Sequence, residues 1–494
     1  MKKLITPLNI FLFILVCGFI LRIIHPLYYF QYQHDQDLIG WVIRDVLFNK
    51  HVRLIGQETS SQGVFIGPLF YYLLIPFYLL TSMNPGGGLI LVTLLGLFSI
   101  FSFYFVLSKV FNRKVGIVAS LIYAFSYAII FADREVVPTM PVMLWSVWYF
   151  YGLWLISKGK GKAYLLLGFL LGLVWNLNLA LALLTPLIPL AQILSKKKFN
   201  LKYILLGTVI FVVTFSPFIV FEFRHNFQQT KAIVSSLTTT KDYAGGSAPG
   251  LAKLDRVMQL VHVNTTRIFW GAHYYPFLAK LTFYLLVGLL VFLVYKKVLS
   301  KELSMIMLLW LVLYIAFFAL NSLNVSEYYL NGMNVIWITI MSLSLVYLIE
   351  HKKLFKYGVF VILLFLTANL YSFISHRTPR NGYVERKALV AFVKEDAKSH
   401  GYPCVSISYI TPFGYQFGYR YLFWIADLEV NRPISGSPVY SIVFPQSSVD
   451  RFDKSFGALG LVLPDYQSYT REGIEKSCEG PDANLTDPMF GYTQ

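Results

Sequence analysis

The sequence predicts a polytopic α-helical membrane protein of about eleven transmembrane helices, with amphipathic juxtamembrane helices in its first outer loop and a small C-terminal extracytoplasmic α/β domain. Three observations predict it. The 494 residues are 56% hydrophobic and only 14% charged, against roughly 25% charged in soluble domains. Apolar stretches near the roughly 17–25 residues needed to cross a bilayer recur through residues 1–376. Residues 377–494 then turn rich in Gly, Pro, Ser, Asp and Glu and contain no spanning run. The formal charge of +17 reads as loop charge that orients spans, not as a nucleic-acid surface; no RNA- or DNA-binding module is visible.

The first span, 4–24, contains LNIFLFILVCGFILRII. It is longer than the roughly 7–15 apolar residues of a signal peptide, and no small-residue cleavage site follows, so it reads as a retained helix. Further spans are expected at 87–107, 115–132, 139–156, 163–178, 179–194, 203–221, 278–295, 303–320, 333–350 and 355–374. The stretch GPLFYYLLIPFYLLTS at 67–82 is shorter, about 24 Å as a helix, and Pro76 interrupts it. Basic residues decide its place. If 67–82 does not cross, SKVFNRK, SKGKGK, SKKKFNLK, YKKVLSK and EHKKLFK share the side of Lys2 and Lys3, as the positive-inside tendency requires. HDQD, DREVVP, FEFRHNF and NVSEYY then face the opposite, outer side, and so does the tail.

In the tail, YVERKALVAFVKEDAKSHG reads as an amphipathic helix stopped by Gly401, and PCVSISYITP and YSIVFP read as strands. Cys17 lies inside the first span; Cys404 and Cys478 are candidates for a disulfide if the tail is extracytoplasmic.

The outer loops hold the chemistry. In HDQDLIGWVIRDVLFNK, winding at 100° per residue gathers Ile39, Val42, Ile43 and Val46 on one face and Asp37, Trp41 and Arg44 on the other, an interfacial amphipathic helix. Asp35 and Asp37 at its start serve equally as an N-cap and a solvated charge, as a base for an incoming hydroxyl, or as ligands of a divalent cation. Arg134 in the second outer loop, and Arg224 with His225 in the third, are candidates to grip a phosphate. The plainer alternatives pair Arg134 with Asp133 or Glu135 and make Arg224 a helix-end charge. Tyr328 and Tyr329 serve as substrate contacts or as interfacial anchors.

Taken in order, Asp35-Gln36, LIGQETS at 54–60, Gly67-Pro68 with LFYYLL, and FEFRHNF resemble the outer-loop motifs of type C membrane glycosyltransferases related to protein O-mannosyltransferases and lipid A aminoarabinose transferases. The resemblance covers roughly residues 1–375 and is strongest over 30–160. It implies a sugar donor on a polyprenyl phosphate, an extracytoplasmic acceptor (glycan, lipid or protein), and inverting single displacement. Asp35 would be the acceptor-activating base, with Asp37 the alternative. Gln36, standing where several relatives carry Glu, would join Glu58, Tyr328 and Tyr329 in binding substrate. A divalent cation on Asp35, with Asp37 and Asp133, is left open and not required; no other cofactor is implied.

A polytopic transporter or lipid flippase is the rival reading. It predicts ionisable residues at mid-membrane, whereas the predicted spans are nearly free of charge apart from Arg22. No Walker A loop, HExxH, CxxC or GxSxG occurs, so ATP-driven transport, zinc proteolysis and serine hydrolysis have no support.

Overall fold

The computed structural model describes residues 6–238, 250–271, 275–480 and 482–486; Lys2 and Lys3 lie outside them. The Thr6 hydroxyl accepts from Asn9 N and Pro7 opens α1 (Pro7–Ile23). Two helices of the first loop follow, α2 (His34–Phe48) and α3 (Leu69–Leu80). At 12 residues, about 18 Å, α3 is too short for a hydrocarbon core of about 30 Å, and a 3-10 turn at Pro85–Gly87 leads straight into α4 (Gly88–Val110).

The expected span 115–132 is broken. Asn112 caps α5 (Arg113–Phe125), but Ser126 is extended and a second helix, α6 (Tyr127–Ala132), begins after it. The Asn369 side chain accepts from Tyr127 N at 2.8 Å, replacing the bond that an unbroken helix supplies. Next come α7 (Val142–Ser157), α8 (Ala163–Leu177), a 3-10 stretch at Leu179–Leu184, α9 (Leu187–Ser195), α10 (Leu201–Arg224) and α11 (Gln228–Thr238). Then α12 (Leu251–Trp270), α13 (Pro276–Tyr295), α14 (Lys301–Leu320), a 3-10 turn at Glu327–Met333, α15 (Asn334–Glu350) and α16 (Phe355–Ser375) complete the helical region. Among the described residues, six helical segments are long and apolar enough to cross a membrane: 85–110, 201–224, 276–295, 301–320, 327–350 and 355–375. The remaining expected spans form shorter apolar helices, 17 residues in α1, 16 in α7 and 15 in α8.

The main core runs through this bundle and is centred on α15, buried from Asn334 through Val346. Thr339, Ser342 and Ser344 fit there because each hydroxyl donates to the carbonyl four residues back. The basic loops gather at one end: Lys114 pairs with Glu350 at 2.7 Å, and Glu302 lies within reach of the charges of Lys158 and Lys196. The acidic loops gather at the other.

The C-terminal region contains α17 (Tyr383–Ser399), β1 (Cys404–Ile410), α18 (Arg420–Ile425), β2 (Glu429–Asn431), β3 (Val439–Val443), β4 (Lys454–Phe456), β5 (Leu459–Val462), α19 (Arg471–Ser477) and α20 (Ala483–Thr486). The sheet order is β2-β1-β3-β5-β4, with β1 parallel to both neighbours and β5 antiparallel to β3 and β4. Cys404 and Cys478 are disulfide-bonded, tying β1 to the end of α19. A second apolar cluster joins this region to the first loop: Ile39 and Trp41 of α2 and Leu74 of α3 share it with Leu389, Tyr421 and Tyr440. Gly40 is required by that approach, since a Cβ there would lie 2.6 Å from the Tyr421 ring.

Candidate active site

The structure turns α2 differently from a simple interfacial helix. It is covered on two sides, by α3 and by α18. The helix begins at His34, so Asp35, Gln36 and Asp37 all lie in its first turn and point in different directions. A turn with three consecutive polar side chains can serve three neighbours at once.

Asp35 lines a cavity of about 540 Å³. Burial raises its proton affinity, opposed by nearby His34 and by a hydrogen bond from Gln57. Asp37 turns away. It is 3% exposed, and its Oδ1 accepts from Tyr32 OH at 3.0 Å and from Tyr421 N at 3.1 Å, fastening the first loop to α18. Burial pushes the Asp37 carboxyl up to about 6, partly offset by those two hydrogen bonds. The expected alternative base thus does not line the cavity. Gln36 is also buried outside the cavity: its Oε1 accepts from Gln33 N at 3.0 Å and its Nε2 donates to Val136 O at 3.4 Å. This corrects its expected role as a substrate contact.

The second carboxylate of the cavity comes from a residue that the sequence offered only as an ion-pair partner. Glu135, in the loop between α6 and α7, projects into the cavity space. It is pushed up to about 7 by burial first, then by the negative charges of Asp35 and Glu327. Its neighbours hold the loop from behind. Asp133 takes Arg22 Nε at 2.8 Å and Nη2 at 2.5 Å, with Tyr123 OH on its other oxygen at 2.9 Å. Arg134 Nη2 donates to Leu21 O in the last turn of α1 and to Ile24 O at its C-cap, and the guanidinium lies 4.9 Å from the Tyr29 ring and 5.2 Å from that of Phe131. Only an acidic residue between apolar VVP and a span hinted at Glu135.

Glu58, Tyr328 and Tyr329 line the same cavity. Glu58 sits in a hairpin, bridged to Phe65, with Oε1 accepting from Gly63 N. Ser60 Oγ and Tyr329 OH lie 2.5 Å apart across the wall. Thus the first, second and last outer loops, HDQD, DREVVP and NVSEYY, meet at one chamber. Other expected site residues do not. Arg134 is buried against α1 as described; Arg224 is exposed at the end of α10; His225 stacks on Phe221 at 4.1 Å, its Nδ1 against Phe221 O. In FEFRHNF the buried residues are Phe221 and Glu222, and Glu222 accepts from Gln229 N and Thr230 N in the first turn of α11. No lysine, arginine or histidine is among the described residues lining the chamber. Asp35, Asp37 and Asp133 do not converge as a cation site, because Asp37 serves Tyr421 and Asp133 serves Arg22; no group of three His, Cys, Asp or Glu suited to a metal occurs among the described residues.

A second space of about 520 Å³ lies between α8, α9 and α10. Leu179 and Ala182 line both. Leu167, Leu171, Val174, Phe211 and Phe215 make this second space almost wholly apolar, and α10 beyond it is mostly uncovered by protein.

Residues 66–221 match the family model for dolichyl-phosphate-mannose-protein mannosyltransferases. No curated protein matches the chain. The fold is similar to that of ArnT from Cupriavidus metallidurans bound to undecaprenyl phosphate, with a TM-score of 0.59 at 10% identity over 92% of this chain and 97% of that one. The apo state of ArnT gives a TM-score of 0.59 at 9% identity, over 92% and 96%. The Archaeoglobus fulgidus oligosaccharyltransferase aligns with a TM-score of 0.47 at 13% identity, over 88% of this chain and 67% of that chain. The chain thus has the ArnT fold, and the resemblance to type C membrane glycosyltransferases read from its outer loops is found again in the family match and in the fold.

Proposed function

We propose that this multi-pass membrane protein, with the fold of ArnT, is a glycosyltransferase that moves a sugar from a polyprenyl phosphate to a hydroxyl-bearing acceptor on the outer side of the membrane. One observation carries the reading: a carboxylate-lined chamber shares Leu179 and Ala182 with an apolar groove beside α10. A donor with a sugar-phosphate head and a hydrocarbon tail needs both environments, joined where the helices end.

In this reading Asp35 takes the proton of the acceptor hydroxyl as its oxygen bonds to the anomeric carbon. The carbon–oxygen bond to phosphate breaks, its electron pair leaves on the phosphate, and configuration inverts. Positive charge develops on the sugar in an oxocarbenium-like transition state. A chamber lined by Asp35, Glu58 and Glu135, without a lysine or arginine among its described residues, favours that charge. Glu135, half-protonated near pH 7, both donates to and accepts from sugar hydroxyls. The region 377–494 holds the first-loop helix from above. The charge-bearing chamber among loop residues, rather than at the middle of the spans, favours this reading over a carrier.

The test is purified protein in lipid, supplied with a panel of polyprenyl-phosphate sugars and candidate acceptors. Turnover of one donor, falling about 10²–10⁴-fold in Asp35→Asn with the fold retained, supports the reading. Transport of an intact lipid-linked sugar without transfer would replace it with a flippase.

A further inference from the structure

Asp35 and Glu135 stand far apart in the chain, on segments that join at three places. Gln36, the residue after Asp35, spends its amide on two backbone groups: Oε1 on Gln33 N inside its own helical turn, and Nε2 on Val136 O, the residue after Glu135. Val136 is fully buried, so its carbonyl has no water to turn to. On the other flank of Glu135, Asp133 is clamped by Arg22 of α1, and Arg134 is clamped onto the carbonyls of Leu21 in α1 and of its C-cap, Ile24. Residues 133 and 134 are thus tied to α1 and its C-cap, and residue 136 to the first turn of α2, which carries Asp35; Glu135, between them, faces the chamber.

We infer that Gln36 is a positioning residue that, together with the buried Arg22–Asp133 pair, sets the separation of the Asp35 and Glu135 carboxylates across the chamber. Its catalytic consequence rests on the glycosyltransferase reading; the spacing itself does not. A neutral amide suits the position because one side chain must both accept and donate. Leucine does neither. The charged pair at 22 and 133 holds the loop from a site where water does not compete, and each ion has its partner, so removing one alone leaves a buried charge.

The test uses the full chain in lipid nanodiscs and reads the infrared carbonyl band of the protonated carboxylic acid against pH, assigned to Glu135 by its loss in Glu135→Gln. The groups facing Glu135 are Asp35 and Glu327; those facing Asp35 are His34 and Gln57. In the native chain the band is expected to titrate at about 7. In Gln36→Leu the two carboxylates separate, and the midpoint moves toward the ordinary glutamate value of about 4.3. Turnover falls by up to about 10²-fold with little change in donor KM, as misplacement of a reacting group predicts. Should Gln36→Leu fail to fold, the neutral swap Arg22→Met with Asp133→Leu, which strands no charge, is read in the same way. An unmoved midpoint in a folded variant overturns the inference. A moved midpoint in a protein that transfers no sugar leaves the spacing device in place and removes the glycosyltransferase reading instead.

Discussion

At the scale of residues, two carboxylates in one helical turn are given different tasks by what surrounds them. Asp35 meets open cavity and Gln57, whereas Asp37 meets Tyr32 OH and Tyr421 N. Asp35 and Glu135 both bind protons more tightly than free carboxylates, Asp35 through burial and Glu135 through burial and then the charges of Asp35 and Glu327. As pH falls, both neutralise earlier than in water, so the acid limb of the pH–rate profile, set by Asp35, is expected above the range of a free aspartate. Glu135→Gln removes one of the charges and moves that acid limb of the pH–rate profile to lower pH. Asp37 yields a stability prediction of definite sign. Its folded value of about 6 lies above the unfolded 3.8, so the native state binds more protons between those values and stability falls as pH rises through roughly 4 to 6. The shift amounts to about 3 kcal/mol. Asp37→Asn keeps an acceptor for Tyr421 N, so thermal unfolding in detergent is expected to lose its slope in that window and to occur at higher temperature at pH 7. Asp35 was legible in the sequence because an acidic pair at the end of a span has few reasons to exist. Glu135 was not. Its neighbour Arg134 looked like its partner, and nothing local reveals that Asp133 pairs with Arg22, 111 residues away.

At the scale of elements, the apolar groove makes the proposal specific. Ala182 is exposed at the junction of the chamber and the groove. Ala182→Trp fills the junction, and KM for a long-chain donor is expected to rise about tenfold, a loss of ~1.4 kcal/mol, while a short-chain donor analogue is little affected. Equal effects on both chain lengths would place the tail elsewhere. The short helix at 69–80, the helix α17 with Gly401 behind it, and the strands β1 and β3 followed from period, caps and turn residues. Two features did not. The break between α5 and α6 depends on Asn369 of a helix far along the chain. The helix α12 escaped because Lys253, Asp255, Arg256 and Arg267 interrupt any apolar run, although it buries Val257, Leu260 and Val261 in the bundle. A rule that searches for uniformly apolar stretches misses a helix that is amphipathic yet inside.

At the scale of the whole molecule, charge divides the protein into two ends: basic loops at one, and the chamber, α2 and the C-terminal sheet at the other. The proposed orientation has the chamber outside. Cysteines introduced at Asp465 and Lys160, both exposed, test it in intact cells: Asp465→Cys is labelled by an impermeant reagent and Lys160→Cys only after permeabilisation. The division into ends was readable from loop composition, because the cost of moving Lys and Arg across a bilayer is paid in every loop. That the C-terminal region shares an apolar cluster with α2 and α3 was not readable, since each face looks self-sufficient alone. The account rests on Asp35 being the base and Asp37 the dock. Transfer of sugar from a polyprenyl phosphate, measured side by side for folded Asp35→Asn and Asp37→Asn in lipid, tests this most directly. Turnover lost about 10²–10⁴-fold in the first and kept in the second is the expected result; turnover kept in the first and lost in the second would contradict it.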